Sequence, residues 1–393
     1  MSRRAKVEAE PISASMASNR EHMDRMAAVA SKWSTWKPGA EVLTKVKSVP
    51  TIFPQLDVML RVGGWPIERF GLVHGRSGEG KTSLLHGIGK SFLQAGHFYA
   101  YCDAEYTTPE DWIQQQLSEF TAHPGFRAMR PRNYEETVDA VRDFCTGIGN
   151  AKAKGELDPN TSGLVVIDSL RKLVPKDLLK KIMKGADQED PEGGRGKRRI
   201  AKRGVDGAGG RAAMIKAAMN AAWFDEIIPM LAQTGTAMIV VARESENVDG
   251  FGEDFHVQGG KAVFYESSVV LRVMTEALVR ETADSKSPII GERHIVELRK
   301  TKVGGKIGPF KCERANFHTS NGALVPAGFD RARDVVELAL DYDVLKASGA
   351  WIAYGSKRLG QGANKAVVRL TNEPKLMAEI ETKARAAACG EKT

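Results

Sequence analysis

The run Gly75-Arg76-Ser77-Gly78-Glu79-Gly80-Lys81-Thr82 has the spacing G-x-x-x-x-G-K-[ST]. That spacing restricts the fold more than anything else in the chain. Glycines let backbone N–H groups wrap an anion without interference from a Cβ, and the following helix points its positive N-terminus at the same place. Such a loop needs a strand before it and a helix after it. Gly71–Gly75 is a short apolar strand candidate, and Lys81–Gln94 reads as a helix ended by Gly96. Lys81 is placed to reach the β- and γ-phosphates of ATP, the Thr82 hydroxyl to ligate Mg2+, and Ser83 follows them in the first helical turn.

The rest of the middle alternates strand and helix. Phe98–Cys102 reads as a second strand, expected immediately beside the first, and a helix begins near Pro109. Gly163–Asp168 (GLVVID) and Thr236–Ala242 (TAMIVVA) are continuous apolar runs of the kind buried on both faces of a parallel sheet, with a helix over Arg211–Ala232 between them. Repeated βα units predict an α/β core with a mostly parallel, twisted sheet. Ser267–Met274, Ile289–Lys302 and Pro309–Arg314 read as antiparallel strands on its far side. A Gly/Pro/Ala stretch near Asn321–Gly328 marks a boundary. Beyond it Arg331–Asp343 and Lys375–Ala388 are helical, with a strand at Trp351–Tyr354. The expected divisions are a disordered 1–17, a helix and strand within 18–50, a core over 51–320 and a small α/β domain over 321–393. In the second of these, Met23, Met26, Ala27, Val29 and Ala30 recur at helical spacing within Asn19–Trp33, and the apolar segment Glu41–Val46 follows. The residues by themselves favour this helix packing on its own domain.

Composition narrows the class. Cys102, Cys145, Cys312 and Cys389 form no CxxC pair, so neither a zinc site nor a disulfide framework is expected, and a reducing cytoplasm fits. The start of the chain has no apolar signal-peptide core, and no apolar run approaches the roughly 18 residues of a membrane span. No membrane partner is expected. Lys plus Arg number 57 against 49 Asp plus Glu, a formal charge of +8. That excess points to a polyanion only where it clusters.

Asp168 ends its buried strand, where a carboxylate faces the ligand crevice of a doubly wound sheet and can hold Mg2+; the bland alternative is a helix cap. Hydrolysis also needs a group that orients or deprotonates water. Within Asp103-Ala104-Glu105, Glu105 has the longer reach and is the candidate. Trp112 suits either adenine stacking or core packing.

The basic residues cluster in 176–211, which holds Lys197, Arg198, Arg199, Lys202, Arg203 and Arg211 among glycines, tempered by acidic Asp187–Glu192. A basic, glycine-rich segment leaving the ligand edge of the sheet suits a phosphate backbone, with a log–log salt slope of about −0.7 per single-strand contact. A second segment, 243–260, leaves the same edge. Its Phe251, Phe255 and His256 can stack on bases or simply anchor the loop.

The order of these motifs resembles the bacterial RecA recombinase family from about Ile52 to Arg385. The resemblance rests on LDVMLRVGGWPIERFGLVHGRSGEGKTS, on Asp103-Ala104-Glu105, on LVVIDS, on QGGKAVFY (Gln258–Tyr265) and on the C-terminal GAWIAYGSKRLGQGANKAVVRL. It implies that Glu105 activates water and that Trp112 stacks on adenine. It also implies that 176–211 and 243–260, the latter including Gly259 and Gly260, are the two DNA-binding loops. Lys300 and Lys302, which alone would read as a solvated strand end, then reach a neighbouring subunit's ATP. The N-terminal helix and strand become a polymerisation arm, reversing the residue-based lean.

The chain also departs from the family. Ala242-Arg243 stands where the family has a phosphate-sensing Gln, so coupling of ATP to the second loop would run through Arg243 or be weak. The first loop is longer and more basic, QGGKAVFY is one residue short, and the chain stops at Thr393 without an acidic tail, so tail-restrained duplex capture is not expected. This divergence suits a phage-encoded member.

The resulting expectation is a DNA-dependent ATPase that forms a helical filament on single-stranded DNA and pairs it with double-stranded DNA, using ATP and Mg2+. Single-strand-binding and mediator proteins complete its expected partners. The alternatives are a ring helicase on the same core, or an ATP-gated DNA-coating filament with little turnover.

Overall fold

The computed structural model describes residues 12–32, 45–178, 180, 197–246, 255–258, 260–282, 284–315, 318–320, 323–325 and 327–390. The chain divides into two units, 1–46 and 47–393. In the first, helix α1 (Ile12–Ala30) starts earlier than the apolar spacing suggests and carries Met23, Met26 and Val29 exposed. The segment expected as a strand lies outside the described residues up to Thr44, and Lys45 and Val46 are in neither helix nor strand.

In the second unit, β1 (Ser48–Val49) pairs with β2 (Trp65–Pro66), with α2 (Pro54–Leu60) between them. The loop-bearing strand β3 (Phe70–Gly75) leads into α3 (Lys81–Gln94). Then come β4 (Phe98–Asp103), α4 (Glu110–Leu117), β5 (Phe126–Met129), α5 (Tyr134–Ala153) and β6 (Gly163–Asp168). Next are α6 (Lys197–Thr234), β7 (Thr236–Glu246), β8 (Phe255–Val257), α7 (Lys261–Glu266), β9 (Val269–Arg280), β10 (Ile289–Thr301) and β11 (Gly308–Ala315). A small hairpin of β12 (His318–Ser320) and β13 (Ala323–Val325) precedes β14 (Gly328–Phe329).

The main sheet runs β14-β11-β10-β9-β3-β7-β6-β4-β5, with β8 paired to β7. From β9 to β5 every neighbouring pair is parallel. Two expectations change here. The second strand, β4, is not beside β3; β7 and β6 lie between them. The physical reason is in the side chains: β6 is buried at every position, whereas β4 has half-buried Phe98 and Ala100 in its first half and suits a place nearer the edge. Of the three strands expected to be antiparallel, β9 joins β3 in parallel, and only then does the chain turn back through β10 and β11.

Alternate side chains of each central strand feed opposite layers. Leu164, Val166, Ile239 and Val241 pack with Leu84, Leu85, Ile88 and Phe92 of α3. Val165, Ile167, Met238 and Val240 pack with Trp223, Phe224, Ile227 and Leu231 of α6. That helix begins at Lys197 rather than at Arg211, so the stretch 197–211 is helical backbone and not loop. Lys, Arg and Ala are strong helix formers and offset the cost of its glycines. Residues 181–196 lie outside the described chain.

The C-terminal elements are α8 (Arg331–Asp341), the hairpin sheet β15 (Lys346–Ser348), β16 (Trp351–Tyr354) and β17 (Lys357–Gln361), then α9 (Gly362–Asn372) and α10 (Pro374–Ala388). They close on their own apolar cluster around Val335, Val336, Leu345, Leu370 and Ile380. Among the described residues no helix is long and apolar enough to cross a membrane.

Candidate functional site

Parallel strands deliver the ends of β3, β7, β6 and β4 to one edge of the sheet, and the candidate residues gather there. Gly75 and Gly80 are required by geometry. Gly75 has φ +155° and a Cβ there would lie 2.3 Å from the Val273 carbonyl oxygen; Gly80 has φ +83° and a Cβ would meet the His294 ring at 2.7 Å. Gly80 caps α3 with no side-chain hydrogen bond, and no acidic residue occupies the first turn, so the helix presents its N–H groups to an anion. His294, buried beneath the loop, has its pKa pulled down to about 4 by burial and by the Arg314 charge, so it is neutral there.

Lys81 is 8% exposed, and its Nζ donates to the Arg76 carbonyl at 2.5 Å, spanning the loop from within. Burial lowers its pKa despite the Asp168 charge nearby. The Thr82 hydroxyl donates to Asp168 Oδ2 at 2.6 Å. Burial raises the Asp168 pKa to about 6, against the Thr82 bond. A hydroxyl and a carboxylate side by side are hard oxygen donors, and Mg2+ is held by one or two such groups together with phosphate and water. The residues therefore fit Mg2+. Glu79 turns one carboxyl oxygen into the protein, and burial with the Glu244 charge pushes its pKa up. Its contribution to phosphate binding would come from the backbone.

Asp103 and Glu105 have separate tasks. Asp103 accepts from the Thr107 and Thr108 backbone N–H groups at 3.4 and 3.2 Å and pairs with Arg130 at 3.2 Å, fixing the turn after β4. Glu105 faces the crevice. Its Oε1 accepts from the Ser169 hydroxyl at 2.7 Å and its Oε2 from Arg243 Nη2 at 2.5 Å. Burial raises the Glu105 pKa, but the Ser169 and Arg243 bonds outweigh it and leave the group below its ordinary value. The Ala104 N–H donates to the Asp168 carbonyl at 2.8 Å and ties the two strand ends together.

Arg243 sits on β7 level with Gly75, and Glu244 points to the other face. There Glu244 accepts from His74 at 2.8 Å and from Arg272 at 2.8 and 3.1 Å. Burial opposes these bonds, which still hold its pKa down to about 2. Neither Ser169 nor this triad was among the sequence candidates. Ser169 follows Asp168 directly, and Glu244 is a charge at the end of an apolar strand; both were available signals.

Trp112 is half-buried, edge-on to His86 of α3 at 5.4 Å between ring centroids, and His86 in turn packs against Tyr99 and Tyr101. Lys300 Nζ donates to the Phe264 and Tyr265 carbonyls at 2.7 and 2.8 Å, and Lys302 Nζ to the Glu266 carbonyl at 3.4 Å. Both lysines thus cap the C-terminus of α7, a favourable place for cations.

Of the candidate DNA-binding residues, Phe251 and Gly259 lie outside the described residues. Phe255 and Lys197, Arg198, Arg199, Lys202, Arg203 and Arg211 are placed by backbone only. Gly260, at φ +92°, lies where a Cβ would meet Ala217 of α6 at 2.9 Å. A cavity of about 720 Å³ opens here between α6 and the end of the second candidate segment, lined by Arg171, Met214, Lys216, Asn220 and Gln258. Lys216 and Arg171 are cations that the sequence reading did not single out.

Residues 333–388 match the model of the RecA C-terminal domain. The chain is 28% identical over 352 residues to Protein RecA of Pseudarthrobacter chlorophenolicus, covering 89% of this chain and 85% of that protein. It is 27% identical over 354 residues to Protein RecA of Clavibacter michiganensis subsp. michiganensis, covering 90% and 83%. Against Protein RecA of Streptococcus pyogenes serotype M49 the identity is 26% over 357 residues, covering 90% and 81%.

Proposed function

The chain is a divergent member of the RecA family, and from that premise we propose that it is a recombinase that assembles on single-stranded DNA and pairs it with homologous duplex. ATP is its substrate. Lys81 and the N–H groups at the start of α3 bind its phosphates, while Thr82 and Asp168 hold Mg2+. Mg2+, when bound, neutralises charge on the phosphate oxygens. Glu105 orients and deprotonates the attacking water. Trp112 flanks the adenine, and Lys300 and Lys302 reach the nucleotide of the next subunit. The segment 18–50 docks one subunit on another, forming the filament.

Lys197, Arg198, Arg199, Lys202, Arg203 and Arg211, with Phe251 and Phe255, track the strand, and Lys216 and Arg171 in the cavity join them. Single-strand-binding and mediator proteins load it in the bacterial cytoplasm, of the host when the gene is phage-borne. The observation that carries this reading is the convergence of Lys81, Thr82, Asp168, Glu105 and Arg243 on one sheet edge beside a cation-lined cavity.

Homologous strand invasion is the test: purified protein, a labelled single strand, ATP and Mg2+, with matched or unrelated supercoiled duplex. Joint molecules form only with the matched duplex and disappear in Lys81→Ala. ATP turnover stimulated by DNA with no joint molecules, with or without a single-strand-binding protein, would overturn strand exchange in favour of a motor.

A further inference from the structure

Arg243 occupies the position where a Gln was expected from the resemblance, and it is spent on the candidate base. Both carboxylate oxygens of Glu105 already accept a hydrogen bond, one from Ser169 at 2.7 Å and one from the Arg243 guanidinium at 2.5 Å. The pair is largely shielded, with side chains 29% and 12% exposed, so solvent weakens it less than a surface pair. A carboxylate so engaged is a poor proton acceptor, because a charge-assisted bond stabilises its ionised form.

Arg243 is also mechanically tied to the second candidate DNA segment. Its carbonyl accepts from the Gln258 N–H at 3.0 Å, closing the ribbon in which Glu244 pairs with Val257. Glu244, on the opposite face, is clamped by His74 and Arg272. The ribbon's base is therefore anchored on one face and holds Glu105 on the other.

We propose that Arg243 is a positioning residue that withholds Glu105 from water through a direct ion pair, restraining ATP hydrolysis until DNA binding at the adjoining ribbon separates the two. This rests on the ATPase reading above. The wild-type full-length chain then has low turnover without DNA and high turnover with single-stranded DNA. Arg243→Gln keeps a hydrogen-bond donor but removes the charge. It raises DNA-free turnover several-fold, narrows the stimulation by DNA, and moves the acid limb of the DNA-free pH–rate profile to higher pH. Arg243→Lys restores part of the restraint. Glu105→Gln combined with Arg243→Gln loses turnover in both conditions.

DNA-free turnover in Arg243→Gln at or below wild type, with nucleotide binding and melting temperature preserved, would overturn the proposal. Arg243 would then assist hydrolysis instead. Should Arg243→Gln fail to fold, Ser169→Ala takes the other donor from the same carboxylate and must shift the acid limb the same way; an unmoved limb overturns the idea. A wild-type chain with no turnover under any condition removes the ATPase reading and this restraint with it. Failure of strand invasion alone, with the turnover pattern as stated, overturns the recombinase reading and leaves the restraint standing.

Discussion

Burial of Asp168, opposed by its hydrogen bond from Thr82, sets how the site responds to acid. With its pKa raised to about 6, Asp168 is protonated across the weakly acid range and ionised above it. A protonated carboxyl is a poor ligand for Mg2+, so Mg2+-dependent nucleotide binding weakens as pH falls through about 6 and is restored on the alkaline side. Asp168→Asn flattens that dependence and weakens Mg2+ binding by roughly tenfold or more. Titration of a fluorescent nucleotide across pH, with and without Mg2+, reads both effects. Unchanged Mg2+ binding in Asp168→Asn would remove Asp168 from the metal site, and a wild-type curve with no inflection near pH 6 would refute its raised pKa. At this scale much was legible in advance. The glycines, Lys81, Thr82 and Asp168 follow from one motif and one strand end. The partnership of Arg243 with Glu105 was not legible, because they meet across the strand β6 that separates β7 from β4, and only the sheet order brings them together.

Among the elements, α7 shows how one arrangement can serve a fold and an assembly. Lys300 and Lys302 neutralise the negative end of this short helix, an effect of at most about 1 kcal/mol at a partly exposed site. If their principal task lies across a subunit boundary, replacing both by Ala costs little stability. It abolishes the large species formed with ATP and single-stranded DNA, and nucleotide binding by the single subunit persists. Sedimentation with and without ATP checks this, and undiminished assembly would confine the two lysines to capping. Strand order was the element-scale feature hardest to read. Apolar runs locate β6 and β7 well, but a long crossover does not say which neighbour a strand takes, and β4 lies two strands further from β3 than expected. Helix α5 carries a capping signal visible in the sequence as Asn-x-x-Glu: Asn133 accepts from the Glu136 N–H.

Across the whole molecule, the C-terminal elements are fastened to the core by buried acids. Asp334 on α8 accepts from the Gln55 N–H and Nε2 of α2, and Asp57 of α2 pairs with Arg385 of α10 at 2.9 Å. Burial raises the Asp334 pKa to about 8, with Glu337 and Asp57 adding to it, and burial raises Asp57 to about 7 against Arg385 and Thr51. A carboxyl raised in the fold favours folding fully below its ordinary value of 3.8, and that contribution is lost as pH rises through about 7 to 8. The melting temperature should therefore fall on moving from mildly acid to mildly alkaline buffer. Asp334→Asn keeps an acceptor for Gln55 and lessens the fall, by on the order of 1 kcal/mol at the alkaline end. Equal slopes for the two proteins in a pH series of thermal melts would refute the assignment.

The sheet order also bears on how the chain is made. Both neighbours of β3, namely β7 and β9, come far later in the sequence, and β7 is also a neighbour of β6. A chain emerging from the ribosome carries its phosphate loop on a strand with two open edges, the kind of surface that invites aggregation. Closing it takes β7, inserted between two strands already synthesised, and then β9 on the other edge. Nucleotide capture thus waits until β7 and β9 have been made, and a nascent chain halted before β7 has the motif without the site.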